Sequence, residues 1–176
     1  LEGADRVSTI VRNLKSFSRV DEASCKSANI NECIESTVNI VWNELKYRVK
    51  LIKDLGDIPP TRCYPQQMNQ VFMNLLVNAS QAIEGAGEIR IRTWNDEQSI
   101  YASVSDTGCG IPESVMNRIF DPFFTTKEVG KGTGLGLSIT NDIIKNHHGD
   151  IRVESEPGKG TTFTVRIPIV EEARHE

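Results

Sequence analysis

A glycine-rich segment in the second half of the chain limits the folds that are open to it. Residues 130–140 read "GKGTGLGLSIT", with four glycines in the first seven positions, and a helical pattern begins directly afterwards. Residues 107–133 show little periodicity, and so long an irregular stretch in a compact domain is commonly a functional lid. The N–H groups and dipole at a helix start favour an anion, usually phosphate. We therefore expect either a phosphate-binding lid or a glycine-rich hinge without a ligand.

Two standard nucleotide-binding motifs do not match this segment. The Walker motif needs Gly-Lys followed by Ser or Thr, but Lys131 is followed by Gly132. The Rossmann spacing G-x-G-x-x-G fails because Leu137 stands at its last position. Lys127 and Lys131, which flank the loop, nevertheless supply the positive charge that bound phosphates need. The loop is therefore a candidate phosphate site of another kind.

Hydrophobic periodicity in the rest of the chain predicts a two-layer fold. Alternating residues predict strands over residues 49–55, 88–94, 99–106, 150–156 and 161–169, the last two joined as a hairpin. Helices are predicted from the N-cap Asn31 to Leu45, from Pro65 to a stop at Gly85 and Gly87, and over residues 137–149. We expect an α/β (α+β) two-layer sandwich whose mixed, mostly antiparallel sheet is covered on one face by helices.

The first residues form a separate amphipathic helical pattern. Its apolar positions are Val7, Ile10, Val11, Leu14 and Phe17. Polar, turn-like residues follow, so we predict a helix over residues 1–22, a main domain over 23–170 and a polar tail over 171–176. The apolar stripe can pack on a second copy of the chain, giving a homodimer, or fold back on its own domain.

Composition excludes several classes of protein. With 20 Lys and Arg against 24 Asp and Glu, the net charge is −4, and nucleic acid is not an expected partner. The four cysteines are scattered without a C-x-x-C pair, which indicates neither zinc nor disulfides and favours a reducing compartment. No apolar run approaches the roughly 20 residues that span a bilayer. We expect no membrane contact by this stretch and a cytoplasmic location, although a larger parent protein could be membrane-anchored.

Three polar side chains are candidates for ligand binding. Asn74 and Asn78 share one face of an apolar helix, and an amide oxygen suits Mg²⁺, although capping a neighbouring loop is the alternative. Asp106 ends a strand in "DTGCGIP" and is followed by Gly108 and Gly110, which permit close approach of a flat ligand. An ionised Asp only accepts hydrogen bonds, so it suits an exocyclic amine such as adenine N6 and opposes a guanine carbonyl. A solvated Asp in a tight turn is the alternative.

Taken in order, the motifs resemble the ATP-binding catalytic domain of sensor histidine kinases, within the gyrase, chaperone, kinase and mismatch-repair ATPase superfamily. "QVFMNLLVNASQAI" is similar to the N box, "DTGCGIP" to the first G box, "RIFDPFFTTK" to the F box, "GKGTGLGLS" to the second G box and "GKGTTFTVRIP" to the closing strand pair. The resemblance covers residues 23–170, and "PFFTTK" with "NASQA" is most similar to the nitrogen-regulator type. Residues 1–22 resemble the second helix of the dimerisation and phosphotransfer hairpin.

The resemblance implies a role for each matching residue. Asn78 would coordinate Mg²⁺, Asp106 would bind adenine N6, and Thr161 would support the base through its hydroxyl and water. The nucleotide-binding residues implied are Asn74, Asn78, Asp106, Gly108, Gly110, Ile111, Lys127, Lys131, Gly132, Thr133, Gly134, Leu135, Gly136, Leu137 and Thr161. The residues implied to anchor the lid on apolar surface are Phe120, Phe123 and Phe124.

Two departures from the superfamily bear on the reaction. Hydrolysing members carry a Glu that orients water four residues before the Mg²⁺-binding Asn, where this chain has Asn74. Gln81 stands where many histidine kinases have Lys or Arg, which leaves more phosphate charge to Lys127 and Lys131. The family's phospho-accepting histidine would lie upstream of Leu1. The histidines of this chain, which we do not expect to be the acceptor, are His147, His148 and His175.

The resemblance implies an ATP-dependent protein-histidine kinase that passes phosphate from ATP and Mg²⁺ to a histidine outside this chain and onward to a response-regulator aspartate. Two alternatives remain open: an ATP hydrolase or serine kinase of the same superfamily, and a degenerate nucleotide-binding scaffold. Asn74 in place of Glu argues against the first. Retention of Asn78, Asp106 and the loop glycines argues against the second.

Overall fold

The computed structural model describes residues 24–128 and 132–172. Its helices are α1 (Ile30–Leu45), α2 (Pro65–Ala82) and α3 (Gly136–Asn146), with a 3-10 helix at Glu113–Arg118. Its strands are β1 (Lys26–Ala28), β2 (Val49–Leu55), β3 (Thr61–Cys63), β4 (Gly87–Asn95), β5 (Ser99–Asp106), β6 (Asp150–Glu156) and β7 (Gly160–Pro168). The predicted helix over residues 1–22, Lys131, and residues 173–176 of the tail lie outside the described residues, and the predicted domain boundaries stay predictions.

Five strands form one sheet in the order β2-β4-β5-β7-β6. Strands β2 and β4 are parallel, with Leu51 opposite Ile89, because helix α2 lies between them in the chain and returns it to the same end of the sheet. The other three neighbouring pairs are antiparallel. The predicted mixed, mostly antiparallel sheet is confirmed. This order places β5 in the middle of the sheet, so Asp106 ends a central strand.

One face of the sheet is apolar and carries the helices. In β4, Ile89 and Ile91 are fully buried, whereas the alternating Arg90 and Arg92 are exposed. The buried side chains of α2 on this core are Met68, Val71, Phe72, Leu75 and Leu76. Burying a side chain of that size contributes about 1.5–3 kcal/mol. The predicted two-layer sandwich is therefore confirmed, and its core is the layer between the helices and the apolar sheet face.

The start of α1 differs from the prediction. The N-cap is Asn29, whose side chain accepts a hydrogen bond from the backbone N–H of Asn31 at 2.8 Å. Asn31 lies inside the helix instead. Its side chain donates to the Gly56 carbonyl at 2.8 Å and accepts from the Thr93 hydroxyl at 2.8 Å. Both asparagines suit an N-cap, and the bonds of Asn31 to distant strands decide between them.

Two short strands were not predicted. Strands β1 and β3 pair antiparallel as a separate sheet, with Lys26 opposite Cys63. Each has three residues, and β3 follows directly on a Pro-Pro pair that reads as a turn. Such short segments carry too little alternation to be recognised, so their pairing depends on tertiary contacts.

The segment after β5 is more ordered than its glycine content indicates. It contains the 3-10 helix Glu113–Arg118, and Phe120 and Phe124 pack partly buried against the core. The prediction that Phe123 also anchors this segment is wrong, because Phe123 is 70% exposed. Its backbone φ is +65° and its N–H donates to the Gly134 carbonyl at 2.8 Å, which fastens the backbone while the side chain remains in solvent.

Candidate nucleotide-binding site

Asp106 is a buried acceptor at the end of the central strand. The residue is 9% exposed, and one carboxylate oxygen accepts a hydrogen bond from the Gly108 N–H at 2.8 Å. Burial raises the pKa of this carboxyl above its ordinary value of 3.8, while hydrogen bonds from the backbones of Gly108 and Thr161 act in the opposite direction. An ionised carboxylate there can only accept, so it suits a ligand group that donates.

The backbone after Asp106 passes very close to neighbouring elements. Gly110 has φ +74°, and a Cβ there would lie 2.3 Å from the Glu156 carbonyl oxygen. The N–H of Cys109 donates to the Ala82 carbonyl at 2.9 Å, and its own carbonyl accepts from the Gly158 N–H at 2.8 Å. The segment is thus held between the end of α2 and the turn joining β6 to β7. Only glycine fits at position 110 without displacing that turn.

Ser155 is a site residue that the sequence motifs did not reveal. It lies on β6 opposite Thr161, which is itself opposite Asp106 on β5. The Ser155 hydroxyl accepts from the Ile111 N–H at 2.8 Å and lies 2.8 Å from the Thr161 hydroxyl. The sequence did offer one signal for Ser155: it is a polar residue in line with Ile151 and Val153, on the covered face of the strand predicted over residues 150–156. The Asp106 cluster, as we name it, comprises Asp106, Gly108, Gly110, Ile111, Ser155 and Thr161.

A second group of side chains, the Lys127 cluster, joins the loop to α2. It comprises Asn78, Gln81 and Lys127. The Lys127 ammonium donates to the Asn78 amide oxygen at 3.4 Å and to the Gln81 amide oxygen. Burial lowers the pKa of Lys127. The side-chain oxygen of Asn78 therefore already faces a cation.

The donor set at Asn78 fits Mg²⁺. Among residues 24–128 and 132–172, no group of three or more His, Cys, Asp or Glu side chains could hold a metal ion by itself. Mg²⁺ commonly takes one or two protein oxygens and completes its shell with water and substrate phosphates. The single amide oxygen of Asn78, one helical turn after Asn74, is compatible with that requirement.

Asn74 holds the start of α3. Its amide nitrogen donates to the Gly136 carbonyl at 3.0 Å and to the Thr140 hydroxyl at 3.2 Å. Its amide oxygen accepts from the Gln70 side chain at 3.4 Å. The N-cap residue Leu135 has no side-chain acceptor, so it cannot cap the first-turn N–H groups of α3. Asn74 thus fixes the start of α3 through Gly136 and Thr140. The first-turn N–H groups of α3 are not capped by the Leu135 side chain.

The described part of the glycine loop is fastened to the F box. The Gly134 carbonyl accepts from the Phe123 N–H at 2.8 Å, and the Thr133 hydroxyl accepts from the Leu135 N–H at 3.3 Å. Gly134 has φ +69°, and a Cβ there would lie 2.3 Å from the carbonyl carbon of Phe123. Gly136 and Leu137 belong to the first turn of α3 rather than to the loop.

Helix α2 connects the two clusters. The Ala82 carbonyl at its C-terminal end accepts from the N–H of Cys109, which lies between Gly108 and Gly110 of the Asp106 cluster. Asn78, one turn earlier, belongs to the Lys127 cluster. The structure also joins Asn74 to Gly136 and places Gly132 beside the Lys127 side chain. Lys131 lies outside the described residues, and the ligand role of each residue stays a prediction.

The two described histidines follow the C-terminal end of α3, and the expectation that neither accepts phosphate stays a prediction. His147 accepts from the Tyr64 N–H at Nε2, 3.1 Å, and its Nδ1 lies 2.8 Å from the Ile143 carbonyl, which requires the proton on Nδ1. Both ring nitrogens are engaged. Burial lowers the pKa of His147 below 6.5, so the ring is neutral at pH 7. His148 has φ +59° at the helix-to-strand turn, and His175 lies outside the described residues.

The chain is similar to a known protein family and to several sensor kinases. The family model described as histidine kinase-, DNA gyrase B- and HSP90-like ATPase matches residues 63–171. The chain belongs to this family. Signal transduction histidine-protein kinase AtoS of Escherichia coli is 41% identical over 172 residues, which are 96% of the chain and 28% of AtoS. Sensor kinase CckA of Brucella abortus is 37% identical over 190 residues, covering 98% of the chain and 20% of CckA.

A solved structure shows the same fold. The catalytic domain of histidine kinase ThkA matches with a TM-score of 0.76 at 30% identity, covering 84% of the chain and 99% of that domain. The family and fold expected from the motifs are confirmed, whereas the nitrogen-regulator subtype is not. The chain spans about a quarter of the length of the curated relatives AtoS and CckA. Within the described residues, none of the helices combines the length and apolar character needed to cross a bilayer.

Proposed function

We propose that this chain is the ATP-binding catalytic part of a two-component sensor histidine kinase and that it donates the γ-phosphoryl group of Mg-ATP to a histidine on another segment. One observation supports this proposal most directly. Asp106 is a buried acceptor-only carboxylate, and the segment after it is bonded to the C-terminal end of α2. One turn earlier on α2, the Asn78 amide oxygen accepts from the cation Lys127. Such a site matches adenine at one end and phosphates at the other.

The Asp106 cluster supplies base recognition. Asp106 would accept a hydrogen bond from the exocyclic amine of adenine, and Thr161 lies beside it in register. The close packing of Gly110 against the Glu156 carbonyl holds the backbone beside Asp106 in place, so the base would meet a fixed edge. Ile111, which packs partly buried against the core, supplies apolar surface to the base.

The phosphates would lie at the start of α3. Its uncapped N–H groups favour an anion, and Lys127 adds a positive charge. Gly132, Thr133 and Gly134 would follow the phosphate chain with their backbone, and Lys131 would add a second charge. Asn78 would hold Mg²⁺, which when bound neutralises phosphate charge during transfer. Lys127 would then leave the Asn78 oxygen, and its ammonium would pair with a phosphate oxygen while Gln81 remains beside it.

The Asn74 side chain cannot act as a base that activates water. The amide of Asn74 is neutral, and its nitrogen and oxygen are committed to Gly136, Thr140 and Gln70. Transfer would therefore depend on positioning and charge neutralisation toward an incoming imidazole nitrogen. That nitrogen forms the bond to the γ-phosphorus as the bond to the bridging oxygen breaks, and ADP leaves with the electron pair.

The partners follow from the same proposal. The acceptor histidine would lie on a hairpin whose second helix is residues 1–22, and a homodimer would form through that helix. The phosphoryl group would pass from the histidine to an aspartate of a response-regulator receiver domain. The setting of this reaction would be the cytoplasm, where ATP is available.

Calorimetry and a transfer assay together test this function. The chain should bind ATP and ADP with Mg²⁺ in the micromolar range. It should then label a separately supplied hairpin domain from γ-labelled ATP, with the label lost in acid and retained in alkali. The hairpin without the chain is the control. No heat with ATP and Mg²⁺ would refute nucleotide binding, and brisk steady-state phosphate release without hairpin labelling would identify a hydrolase instead.

A further inference from the structure

The hydroxyl of Ser155 lies at the centre of the Asp106 cluster with three partners. It accepts from the Ile111 N–H at 2.8 Å, donates to the Gly160 carbonyl at 3.1 Å and lies 2.8 Å from the Thr161 hydroxyl. A hydroxyl has one proton and two lone pairs. These three contacts therefore use its whole hydrogen-bonding capacity.

The identity of the partners decides the direction of the third bond. A backbone N–H can only donate, and a carbonyl oxygen can only accept, so the Ser155 proton points to Gly160 and one lone pair is taken by Ile111. The remaining lone pair can only receive a proton from Thr161. The hydroxyl of Thr161 is then the donor to Ser155, and its own lone pairs are left for a ligand or a bridging water.

Register places this oriented hydroxyl next to the carboxylate. Thr161 on β7 is directly opposite Asp106 on β5 and directly opposite Ser155 on β6. Thr161 is 4% exposed, so its hydroxyl has little access to bulk water that could reorient it. Asp106 and Thr161 consequently present two acceptors and no donor from their side chains.

We propose that Ser155 is a positioning residue that fixes the direction of the Thr161 hydroxyl and thereby makes this site select a purine with an exocyclic amine over one with a carbonyl at the same position. This inference rests on the proposed function of the site. An amine at purine position 6 donates to both acceptors or to water held by them. A carbonyl there meets only acceptors and is left without a donor.

The test compares ATP with inosine triphosphate, which carries a carbonyl in place of the amine of adenine. Displacement of a fluorescent ATP analogue with Mg²⁺ present gives the two dissociation constants. Ser155→Ala frees the Thr161 hydroxyl to rotate and donate. The ratio of ATP to inosine triphosphate affinity should then fall about fivefold, as expected for one hydrogen bond reversed in a buried site.

The chain contains a matched control. Ser105 and Thr162 form the same kind of cross-strand hydroxyl pair at 2.8 Å, one position along the strands and therefore on the opposite face of the sheet. Ser105→Ala should leave the affinity ratio unchanged. Ser155→Thr, which retains the hydroxyl, should preserve the wild-type ratio, whereas Ser155→Cys should lower it by a smaller amount and serves if the alanine variant does not fold.

A double variant shows whether Ser155 acts by orienting the Thr161 hydroxyl or only by holding the backbone of Ile111 and Gly160. Thr161→Val removes the oriented hydroxyl and should lower the ratio, and adding Ser155→Ala to it should lower the ratio no further. An unchanged ratio in Ser155→Ala, or an equal loss of affinity for both nucleotides, overturns the inference while leaving the proposed function intact. If the wild-type chain binds neither nucleotide, the proposed function and the inference both fail.

Discussion

The two ends of the proposed ATP site are held in different ways. The Asp106 cluster is built on adjoining strands, where register places Thr161 between Asp106 and Ser155. The Lys127 cluster is built from side chains of α2 and a loop, and its contacts join Lys127 to Asn78 and Gln81 across 49 and 46 residues of sequence. Backbone pairing orders the first cluster, while long side chains order the second.

This difference would separate recognition of the base, at the Asp106 cluster, from phosphoryl transfer, at the Lys127 cluster. The base would enter an arrangement whose acceptors are already oriented, so little reorganisation opposes its binding. The phosphates and Mg²⁺ would enter a cluster whose cation already contacts the Asn78 oxygen. Under the proposed function, that cation would change partners on nucleotide binding. Measurements of stability, affinity and pH dependence can therefore distinguish the two ends.

The largest effect is expected from one methyl group in the Asp106 cluster. Gly110→Ala should lower the free energy of unfolding by about 3 kcal/mol, because it combines positive φ with a Cβ 2.3 Å from the Glu156 carbonyl. Gly85 has the same φ of +74° but open space around it, so Gly85→Ala should cost only about 1 kcal/mol. Chemical denaturation measures both, and equal costs would contradict close backbone packing at Gly110.

Affinity for adenine should depend most on Asp106. Asp106→Asn keeps an acceptor for the Gly108 N–H but loses the charge, so ATP should bind roughly thirtyfold more weakly, as for loss of a charged hydrogen bond. Titration calorimetry with ATP and Mg²⁺ measures the change. Asp96, which accepts backbone N–H groups in the turn between β4 and β5, is the control, and Asp96→Asn should leave ATP affinity unchanged.

ATP affinity should depend on the positive charge of the Lys127 cluster and on the position that carries it. Lys127→Gln should weaken ATP about fivefold by removing a phosphate partner, while adenosine, which has no phosphate, should bind as before. Because Gln81 contacts Lys127, the exchange Lys127→Gln with Gln81→Lys should return part of the lost affinity. Loss of adenosine binding in Lys127→Gln would show that the two ends of the site are not separable.

The smallest effect is expected from pH at the junction of α2 and α3. His147 at the end of α3 accepts from the Tyr64 N–H at the start of α2, and burial lowers the pKa of His147 below 6.5. The unfolded chain therefore binds the proton more readily, so stability is fully present above pH 6.5 and is lost as the pH falls through the folded pKa. Thermal unfolding against pH should show this loss. His147→Gln should flatten it, and an unaltered profile in that variant would assign the loss to other groups.

Local patterns were sufficient for most of the sheet. Strands β2, β5 and β6 have the bounds predicted from alternation, because one covered face and one open face impose period two on the sequence. The N-cap of α1 was misassigned to Asn31 because two asparagines two residues apart both suit a cap. The exposure of Phe123 was missed because its aromatic neighbours Phe120 and Phe124 do pack on the core.

The sequence by itself determined the family, the order of its motifs, the layered fold and the position of the glycine-rich loop. It did so because alternation, helix periodicity and glycine-rich turns are properties of residues close together in the chain. The tertiary structure alone decided that the Ser155 and Thr161 hydroxyls are in contact, that Lys127 lies between Gln81 and Asn78, and that Asn74 fastens α3. Those contacts join residues distant in sequence or opposite in a sheet, so strand register and helix packing determine them.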